Sequence, residues 1–320
     1  MEAASTHSDL PKILVLLATH NGSSFIEEQL DTVLKQRDVD VTVLVSDDAS
    51  TDATQSILAE LAAGNPRIRL LPPGEFGSAG ANFSRLIRDA DTAGFDAVAF
   101  CDQDDLWAAG KLARHYFLLT LEQGVDGGGA YAAVSSNVTA FKEDGTRTLV
   151  VKNQRQQLAD YIFESGGPGS TFLIRPAAFA MVQAEFRTHA EAAAAVDAHD
   201  WLIYALVRAS GRRWFIDGAS TVEYRQHDAN VLGANEGFAQ NFNRLRQIAN
   251  GSHRRQVRAI LHAVLPVADE IQRPRIQWLL ERTESLTPIS RLRIARRAHH
   301  FRRRRRDQCA LAATVTTGVW

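Results

Sequence analysis

The sequence predicts an α/β fold in which strands and helices alternate along the chain. Apolar runs of strand length, such as residues 13–18, contain hardly any polar residue, which is typical of strands buried on both faces of a parallel sheet. Between residues 25 and 34, apolar side chains recur at helical spacing instead. The 320 residues, 45% of them hydrophobic, suffice for one large core or two packed lobes. Together these observations indicate a sheet wound from right-handed β-α-β units.

The strand–helix alternation is regular up to about residue 121 and looser beyond it. Ser24 and Glu27 have the spacing of a capping box, which predicts the start of the first helix. A glycine-rich turn at 166–169 precedes a strand, and the chain is mostly helical from residue 240 onward. We expect strands at 13–18, 41–45, 68–71, 96–101, 130–135, 138–141, 171–174, 213–216 and 221–224, a returning hairpin strand at 146–151, and helices at 25–34, 52–62, 81–91, 109–121 and 198–209.

Cysteine usage and the N-terminus indicate a cytoplasmic protein. Cys101 and Cys309 are far apart and belong to no CxxC or Cys/His cluster, so neither a disulfide framework nor a structural zinc is expected. The first ten residues have neither the basic nor the apolar region of a secretory signal. No window reaches the ~18 apolar residues of a membrane span.

Charge is distributed unevenly along the chain. The net charge is −1, yet nine arginines and no acidic residue lie between Arg291 and Arg306. The rest of the chain is therefore acidic, and this basic segment is predicted to have a partner of its own.

Polar clusters follow three of the predicted strands at the points where they end. These are Thr19-His-Asn21, Ser46-Asp-Asp48 and Asp102-Gln-Asp104. Ligands of open α/β sheets bind at the carboxyl ends of the strands. In an extended segment, residues i and i+2 point to the same side, so Asp102 and Asp104 can face one hard cation such as Mg²⁺ or Mn²⁺. The alternative is that one aspartate caps the next helix while the other is solvated.

Each of the other candidate residues also has a structural interpretation. Asp47 is expected to bind the backbone of the following turn, and Asp48 either caps the next helix or binds the N3–H of a pyrimidine base. Asp200, near a predicted helix start, has the usual position of a cap. His227 taken alone is more typical of a surface residue than of a ligand.

Six sequence blocks in order resemble glycosyltransferase family 2, and their spacing is most similar to its bacterial rhamnosyltransferase-like branch. The resemblance covers about residues 12–235, although His20 stands where the family often has Tyr. The blocks are LLATHNG (16–22), SDDASTD (46–52), CDQDDLW (101–107) with Lys111, GPGSTFLIR (167–175), HDWL (199–202) and YRQHDANVLG (224–233).

The resemblance implies a GT-A fold, a Rossmann-like mixed central sheet flanked by helices, with a helical C-terminal extension. It implies an N-terminal tail (1–10), a catalytic domain (11–235) with a nucleotide-binding half (11–122) and an acceptor half (123–235), and a C-terminal region (236–320). It implies Asp200 as general base. It assigns the donor nucleotide to Thr19, Asn21, Asp48, Asn82, Asp102 and Lys111, and a Mn²⁺ or Mg²⁺ ion to Asp104, His227 and Asp102. It assigns the sugar or acceptor pocket to Trp107, Gly169, Ser170, His199 and Trp201. The two tryptophans are equally suited to the core.

The implied function is metal-dependent, inverting transfer of a sugar from a nucleotide diphosphate donor to a hydroxyl of a saccharide or lipid-linked saccharide acceptor. L-Rhamnose from its dTDP form follows from the branch resemblance. A sugar-phosphate nucleotidylyltransferase is the rival enzyme, but residues 19–24 lack the Lys or Arg of its phosphate loop.

The arginine run is expected to hold the enzyme on an anionic membrane surface, at the cytoplasmic face, through a basic helix whose apolar side includes Leu292, Ile294 and Phe301. The alternatives are a solvated end and a non-catalytic protein whose tail binds nucleic acid. The acidic body and the lack of an RNA-stacking motif argue against nucleic acid.

Overall fold

The computed structural model describes residues 10–226 and 251–320. Short 3₁₀ turns at Asp160–Ile162, Gly169–Thr171 and Ala298–His300 link some of the longer elements. The strands are β1 (Lys12–Thr19), β2 (Asp40–Asp47), β3 (Ile68–Leu70), β4 (Ala97–Cys101), β5 (Leu106–Trp107), β6 (Ala133–Phe141), β7 (Arg147–Val150), β8 (Leu173–Ile174) and β9 (Trp214–Arg225). The helices are α1 (Ile26–Leu34), α2 (Thr54–Gly64), α3 (Ala79–Asp89), α4 (Lys111–Thr120), α5 (Pro176–Thr188), α6 (Ala190–Ala194), α7 (His199–Ala209), α8 (Ser252–Val264), α9 (Arg273–Glu284), α10 (Pro288–Ala295) and α11 (Arg305–Thr317).

The described strands form one mixed sheet in the order β3-β2-β1-β4-β8-β6-β9-β5, with β7 paired to β6. β1 is parallel to both β2 and β4, whereas β8 is antiparallel to β4 and β6. The register pairs Thr19 with Asp47 and Leu17 with Cys101, so β1, β2 and β4 end at one edge of the sheet. The predicted mixed sheet flanked by helices is therefore confirmed, and its polar strand ends lie side by side.

Alternate side chains of β1 pack on opposite faces of the sheet. Leu14 and Leu16 belong to the core beneath α3, α5 and α7, while Ile13, Val15 and Leu17 belong to the core beneath α1, α2 and α4. All five are at most 2% exposed. Burial on both faces is the physical reason why residues 13–18 of this strand are all apolar.

The structure differs from the predicted elements in several places. The predicted strands at 130–135 and 138–141 form one strand, β6, and those at 213–216 and 221–224 form one strand, β9; β5, α5 and α6 were not predicted. The predicted capping box is wrong, because α1 has Phe25 at its N-cap and no side-chain cap. The turn before α1 is held from α2 instead: the backbone N–H of Gly22 donates to Thr54 Oγ1 at 2.8 Å.

Residues 252–320 belong to the core on the face of the sheet that α3, α5 and α7 cover. Ile260, Ile276 and Ile294 are fully buried, and Phe301 and Trp320 are nearly so, in the cluster that contains α3, α5 and α7. The rings of Phe301 and Phe163 stack at 4.9 Å between centroids. The helical C-terminal region therefore covers one face of the sheet.

The arginine run is not a free tail, which corrects the expectation for Ile294 and Phe301. Both side chains face the core and are not exposed on a basic helix. Within the run, the side chain of Arg303 is 2% exposed, with Nε 3.7 Å from Asp160 and Nη2 3.4 Å from Glu164. Part of the run is thus a structural ion-pair network.

No helix within residues 10–226 and 251–320 has both the length and the apolar character that crossing a membrane requires.

Candidate active site

The ends of β1 and β2 are tied together by a buried asparagine. Asn82, on the first turn of α3, is 1% exposed, and its Nδ2 donates to the backbone oxygens of Thr19 at 3.2 Å and Ser46 at 3.0 Å. Its Oδ1 is buried and has no hydrogen-bond partner among the described residues. Asn82 therefore holds the two strand ends together, and the space at these strand ends is referred to below as the candidate cleft.

Gln103 ties the end of β1 to the segment after β4. Its Oε1 accepts from Thr19 Oγ1 at 2.7 Å and from the backbone N–H of His20 at 2.9 Å, and its Nε2 donates to the backbone oxygen of His20 at 3.1 Å. A Cβ on Gly22 would lie 2.4 Å from Gln103 Oε1, so a side chain here would displace Gln103. Gln103, which stands between Asp102 and Asp104 in the sequence, thereby fixes the segment after β4 to the end of β1.

The loop after β2 is held by its two aspartates in different ways. Asp47 accepts from the backbone N–H of Ser50 at 3.0 Å, which is the predicted structural contact. Asp48 Oδ1 accepts from the backbone N–H groups of Phe76 and Gly77, the latter at 3.2 Å. Asp48 therefore anchors the 76–77 segment beside the strand ends.

Burial and neighbouring carboxylates raise the pKa of Asp102 and of Asp105, which both follow β4. Burial, with the Asp104 and Asp200 carboxylates nearby, raises the pKa of Asp102 to about 7. Burial and the carboxylates of Asp102 and Asp104 raise the pKa of Asp105 well above its ordinary value. Within the described ranges, no group of three or more His, Cys, Asp or Glu side chains is arranged to hold a metal ion. What the site does contain is a cluster of carboxyl groups at the end of β4, in which burial and neighbouring acids disfavour the ionised forms of Asp102 and Asp105.

Asp200 lies near this acidic cluster on the first turn of α7. Burial raises its pKa to about 6, and the Lys152 ammonium acts in the opposite direction. Asp200 Oδ1 accepts from the backbone N–H of Trp201 at 2.6 Å. A carboxylate with a pKa close to neutrality, near a charged cleft, has the properties of a general base.

A glycine in the 3₁₀ turn leaves the room that His199 and Asp200 occupy. A Cβ on Gly169 would lie 2.8 Å from His199 Nε2 and 3.5 Å from Asp200 Cβ. The His199 ring stacks on Phe83 at 3.9 Å between centroids, and burial lowers the pKa of His199 to about 3. Its Nε2 is buried without a partner in the part of the chain that the structure describes. His199 is thus a neutral, packed ring behind Asp200.

Comparison with known proteins identifies the family. The model of "Glycosyl transferase family 2" matches residues 14–181. The dTDP-rhamnosyl transferase RfbG of Shigella flexneri is 38% identical over 250 residues, which are 78% of this chain and 84% of that protein. The chain belongs to glycosyl transferase family 2.

Further similarities agree with this assignment. A GalNAc(5)-diNAcBac-PP-undecaprenol β-1,3-glucosyltransferase of Campylobacter jejuni is 30% identical over 42% of this chain and 40% of its own length. The mannosyltransferase PcManGT of Pyrobaculum calidifontis, solved with GDP-Man and Mn²⁺, has a TM-score of 0.53 at 16% identity, covering 97% of this chain and 75% of its own. S. aureus TarS 1–349 with UDP has a TM-score of 0.53 at 14% identity, covering 84% and 69%. The GT-A fold predicted for this glycosyltransferase is confirmed.

Two residues predicted in the site of the glycosyltransferase lie in its core. Trp107 is 4% exposed and packs with the apolar residues beneath α4. Lys111 is fully buried, with its ammonium 3.3 Å from the centre of the Trp107 ring. Burial lowers the pKa of Lys111 to about 7. The first turn of α4 thus folds the lysine over the tryptophan in the core, and the assignments of Trp107 to a sugar pocket and of Lys111 to the donor stay predictions.

Other predicted residues are near the cleft or beyond the described chain. Asn21 is exposed at the cleft mouth, where its Oδ1 accepts from the backbone N–H of Thr51 at 2.8 Å. Ser170 is 1% exposed in the turn beside Asp200. Trp201 is half-buried, and its Nε1 donates to the backbone oxygen of Tyr161 at 2.9 Å, on the side of the C-terminal helices. His227 lies outside the described residues.

Sequence reasoning did not single out Gln103 and Arg225. Arg225 Nε donates to the backbone oxygen of Asp104 at 3.0 Å, and its Nη2 lies 2.6 Å from Glu28. Both residues occur inside recognised blocks, and Gln103 stands between the two aspartates, where alternation turns it to the opposite side. This alternation is the sequence feature that could have identified Gln103 as a residue that contacts a neighbouring strand.

Proposed function

We propose that this glycosyltransferase moves L-rhamnose from dTDP-rhamnose to a hydroxyl of a saccharide acceptor, with inversion at the anomeric carbon. The observation that carries the proposal is the position of Asp200, a carboxylate of raised pKa near the acidic cleft mouth. The similarity to a dTDP-rhamnosyl transferase over most of both chains supports the choice of sugar and nucleotide.

The donor nucleotide is assigned to the half at residues 11–122. Thr19, Asn21, Asp48 and Asn82 lie at the ends of β1 and β2 or on the helix that ties them together. The unpartnered Oδ1 of Asn82 would accept a hydrogen bond from a ribose or base donor group. Asp48 contributes its carboxylate from the loop that it anchors, where it would accept from the base N3–H.

A divalent cation, Mn²⁺ or Mg²⁺, fits the carboxylates that follow β4. These ions take oxygen ligands, and Mg²⁺ in particular is held through one or two carboxylates together with substrate phosphates. Burial and the neighbouring carboxylates raise the pKa values of Asp102 and Asp105, and a bound cation would favour their ionised forms. Asp104 and Asp102 would hold the ion, with His227 as a further ligand. When bound, the cation stabilises the negative charge of the departing diphosphate as a Lewis acid.

Asp200 acts on the acceptor, which is assigned to the half at residues 123–235. The acceptor oxygen forms a bond to the anomeric carbon, the bond from that carbon to the diphosphate breaks, and the proton passes to the Asp200 carboxylate. Only one base is required because no enzyme carboxylate attacks the sugar. His199 supports this geometry: its neutral ring fills the space behind Asp200 and leaves the carboxylate as the titrating group.

The acceptor is proposed to be lipid-linked, as in bacterial surface polysaccharide assembly. The name of the Campylobacter relative describes a PP-undecaprenol substrate, which supports this acceptor class. An enzyme acting on such an acceptor would be peripheral on the cytoplasmic face of the inner membrane.

The test combines a donor panel with one isosteric substitution. Among dTDP-, UDP- and GDP-sugars, dTDP-rhamnose should raise the melting temperature most, since a ligand that binds only the folded state stabilises it. Asp200→Asn should keep this shift yet lose turnover by ~10²-fold or more. Asn caps helices as well as Asp does, so a purely structural Asp200 would leave turnover intact. Asp197→Asn, at an exposed carboxylate three residues earlier, is the control.

The metal requirement needs a separate measurement. EDTA should abolish release of dTDP and Mn²⁺ or Mg²⁺ should restore it. Full turnover by a metal-free Asp104→Ala protein would contradict the proposed cation, and pyrophosphate exchange without sugar transfer would indicate a nucleotidylyltransferase.

A further inference from the structure

The outer face of α10 combines exposed apolar and basic side chains. Ile289 is 64% exposed and Leu292 is 45% exposed, while Arg293 and Arg296 are also exposed. Their spacing of i, i+3, i+4 and i+7 places all four on one side of the helix. Ile294, by contrast, is fully buried in the core. The helix thus has an inner apolar residue for folding and an outer apolar pair that folding does not use.

The arginines on this face lack acidic partners. Neither Arg293 nor Arg296 forms an ion pair with any residue in 10–226 or 251–320, whereas Arg302 and Arg303 are paired with Glu164. No acidic residue occurs between positions 285 and 306. The arginine run therefore divides into an inner part that is neutralised and an outer part whose charge faces the surroundings.

A groove lies beside the C-terminal end of α10, where Arg297 is part of its lining. It has a volume of about 360 Å³, and its lining includes Leu158, Trp278, Phe301 and Arg297. The guanidinium of Arg297, which follows α10, lies 4.3 Å from the centre of the Trp278 ring, and that of Arg282 lies equally close. Leu158 is 47% exposed at its edge. An apolar floor with arginines over its aromatic ring complements an amphiphile with an anionic head.

We propose that the outer face of α10 and this groove dock the enzyme on an anionic phospholipid surface. Ile289 and Leu292 would enter the layer between head groups and acyl chains, and Arg293 and Arg296 would meet the phosphates. Nucleic acid is the alternative polyanion, but its phosphate backbone would bind the arginines and offer no apolar environment for the two exposed aliphatic side chains. This docking surface rests on the proposed function, because it would bring the enzyme to a lipid-linked acceptor in the membrane.

The charge arm of the test uses full-length protein with vesicles of pure phosphatidylglycerol or pure phosphatidylcholine. The wild type should sediment with the first and not with the second, and less so at high salt. Arg293→Gln/Arg296→Gln should weaken partitioning about 25-fold, since each arginine near an anionic leaflet contributes about fivefold. The matched control is Arg155→Gln/Arg212→Gln, at two exposed arginines elsewhere, which should bind as the wild type does.

The apolar arm separates a membrane from nucleic acid. Ile289→Ser/Leu292→Ser should weaken vesicle binding by roughly 10-fold with an unchanged melting temperature, because both side chains are exposed in the folded protein. The control is Phe117→Ser/Val125→Ser, at side chains 62% and 56% exposed. Equal losses in variant and control would overturn the proposal. So would binding of poly(U) that depends on the arginines but not on Ile289 and Leu292, with no vesicle binding.

This test is independent of catalysis. The α10 variants should keep full donor turnover with a soluble acceptor. If the wild type transfers sugar but does not bind phosphatidylglycerol vesicles, only the docking surface is refuted. If it binds the vesicles but transfers no sugar, only the proposed function is refuted.

Discussion

Replacing Arg303 by methionine should destabilise the protein far more than the same change at Arg305. The Arg303 side chain is 2% exposed and lies 3.7 Å from Asp160, a fully buried carboxylate. Its Nη2 also donates to the backbone oxygen of Ser165 at 2.5 Å. Arg305, two positions later in the same run, is exposed. The two substitutions therefore remove the same charge from very different environments.

The loss of unfolding free energy in Arg303→Met depends on the partners that the Asp160 carboxylate retains. Removing one partner of a buried ion pair costs about 3–5 kcal/mol, because it leaves an uncompensated charge. Asp160 retains Arg208 at 3.5 Å and the Tyr204 hydroxyl at 3.3 Å, so we expect the lower end, about 3 kcal/mol. In a chain of this size that corresponds to a drop in melting temperature of roughly 6 °C. Arg305→Met should stay within about 0.5 kcal/mol of the wild type.

Thermal and urea unfolding followed by circular dichroism measure both variants. Burial raises the pKa of Asp160 above its ordinary value. The folded state therefore binds this proton more tightly than the unfolded state, and the deficit of Arg303→Met should shrink as pH falls and Asp160 becomes neutral. Asp160→Asn combined with Arg303→Met should recover part of the loss. If Arg303→Met and Arg305→Met melt together, the ion-pair network does not stabilise the fold as argued.

Three further results are expected. Because burial raises the pKa of Asp200 to about 6 and the base acts deprotonated, kcat should rise through about pH 6 to a plateau and fall about tenfold per unit below it, a limb that Asp200→Asn should lack. Gly169→Ala should lower kcat at least ~10-fold by displacing His199, while Gly64→Ala, whose Cβ meets no atom within 4 Å, should leave kcat unchanged. Gln103→Leu should raise the donor KM by roughly tenfold or more, because it removes three hydrogen bonds at the cleft mouth; an unchanged KM would show that the cleft keeps its shape without them.

The first half of the fold was predictable because its signals are local. Residues 13–18 of β1 are all apolar because both faces of the strand are buried, and that pattern is visible in six consecutive residues. α5 was predictable as well: Pro176 occupies its first turn, and Phe179, Val182 and Phe186 are buried on one side. It was missed although the pattern was present.

The rest depended on contacts between distant parts of the chain. Gln103 binds His20 across 83 positions, and Arg303 meets Asp160 across more than a hundred, so no local pattern reveals either contact. Lys111 carries a charge that normally indicates a surface or ligand position, yet the Trp107 ring accommodates it in the core. The sequence indicated which polar strand ends meet at one edge of the sheet, and their roles in a site stay predictions. It could not distinguish arginines that pack in the core from those that face outward.

The packing of residues 252–320 on the sheet also determines how long apolar surface stays exposed while the chain is synthesised. During synthesis the strands and α7 leave the ribosome before α8–α11, so the apolar surface that Ile260, Ile276 and Phe301 later cover is exposed meanwhile. At about 5–20 residues per second, that interval lasts several seconds. Until α8–α11 cover this surface, the incomplete chain is more prone to aggregation than the finished protein.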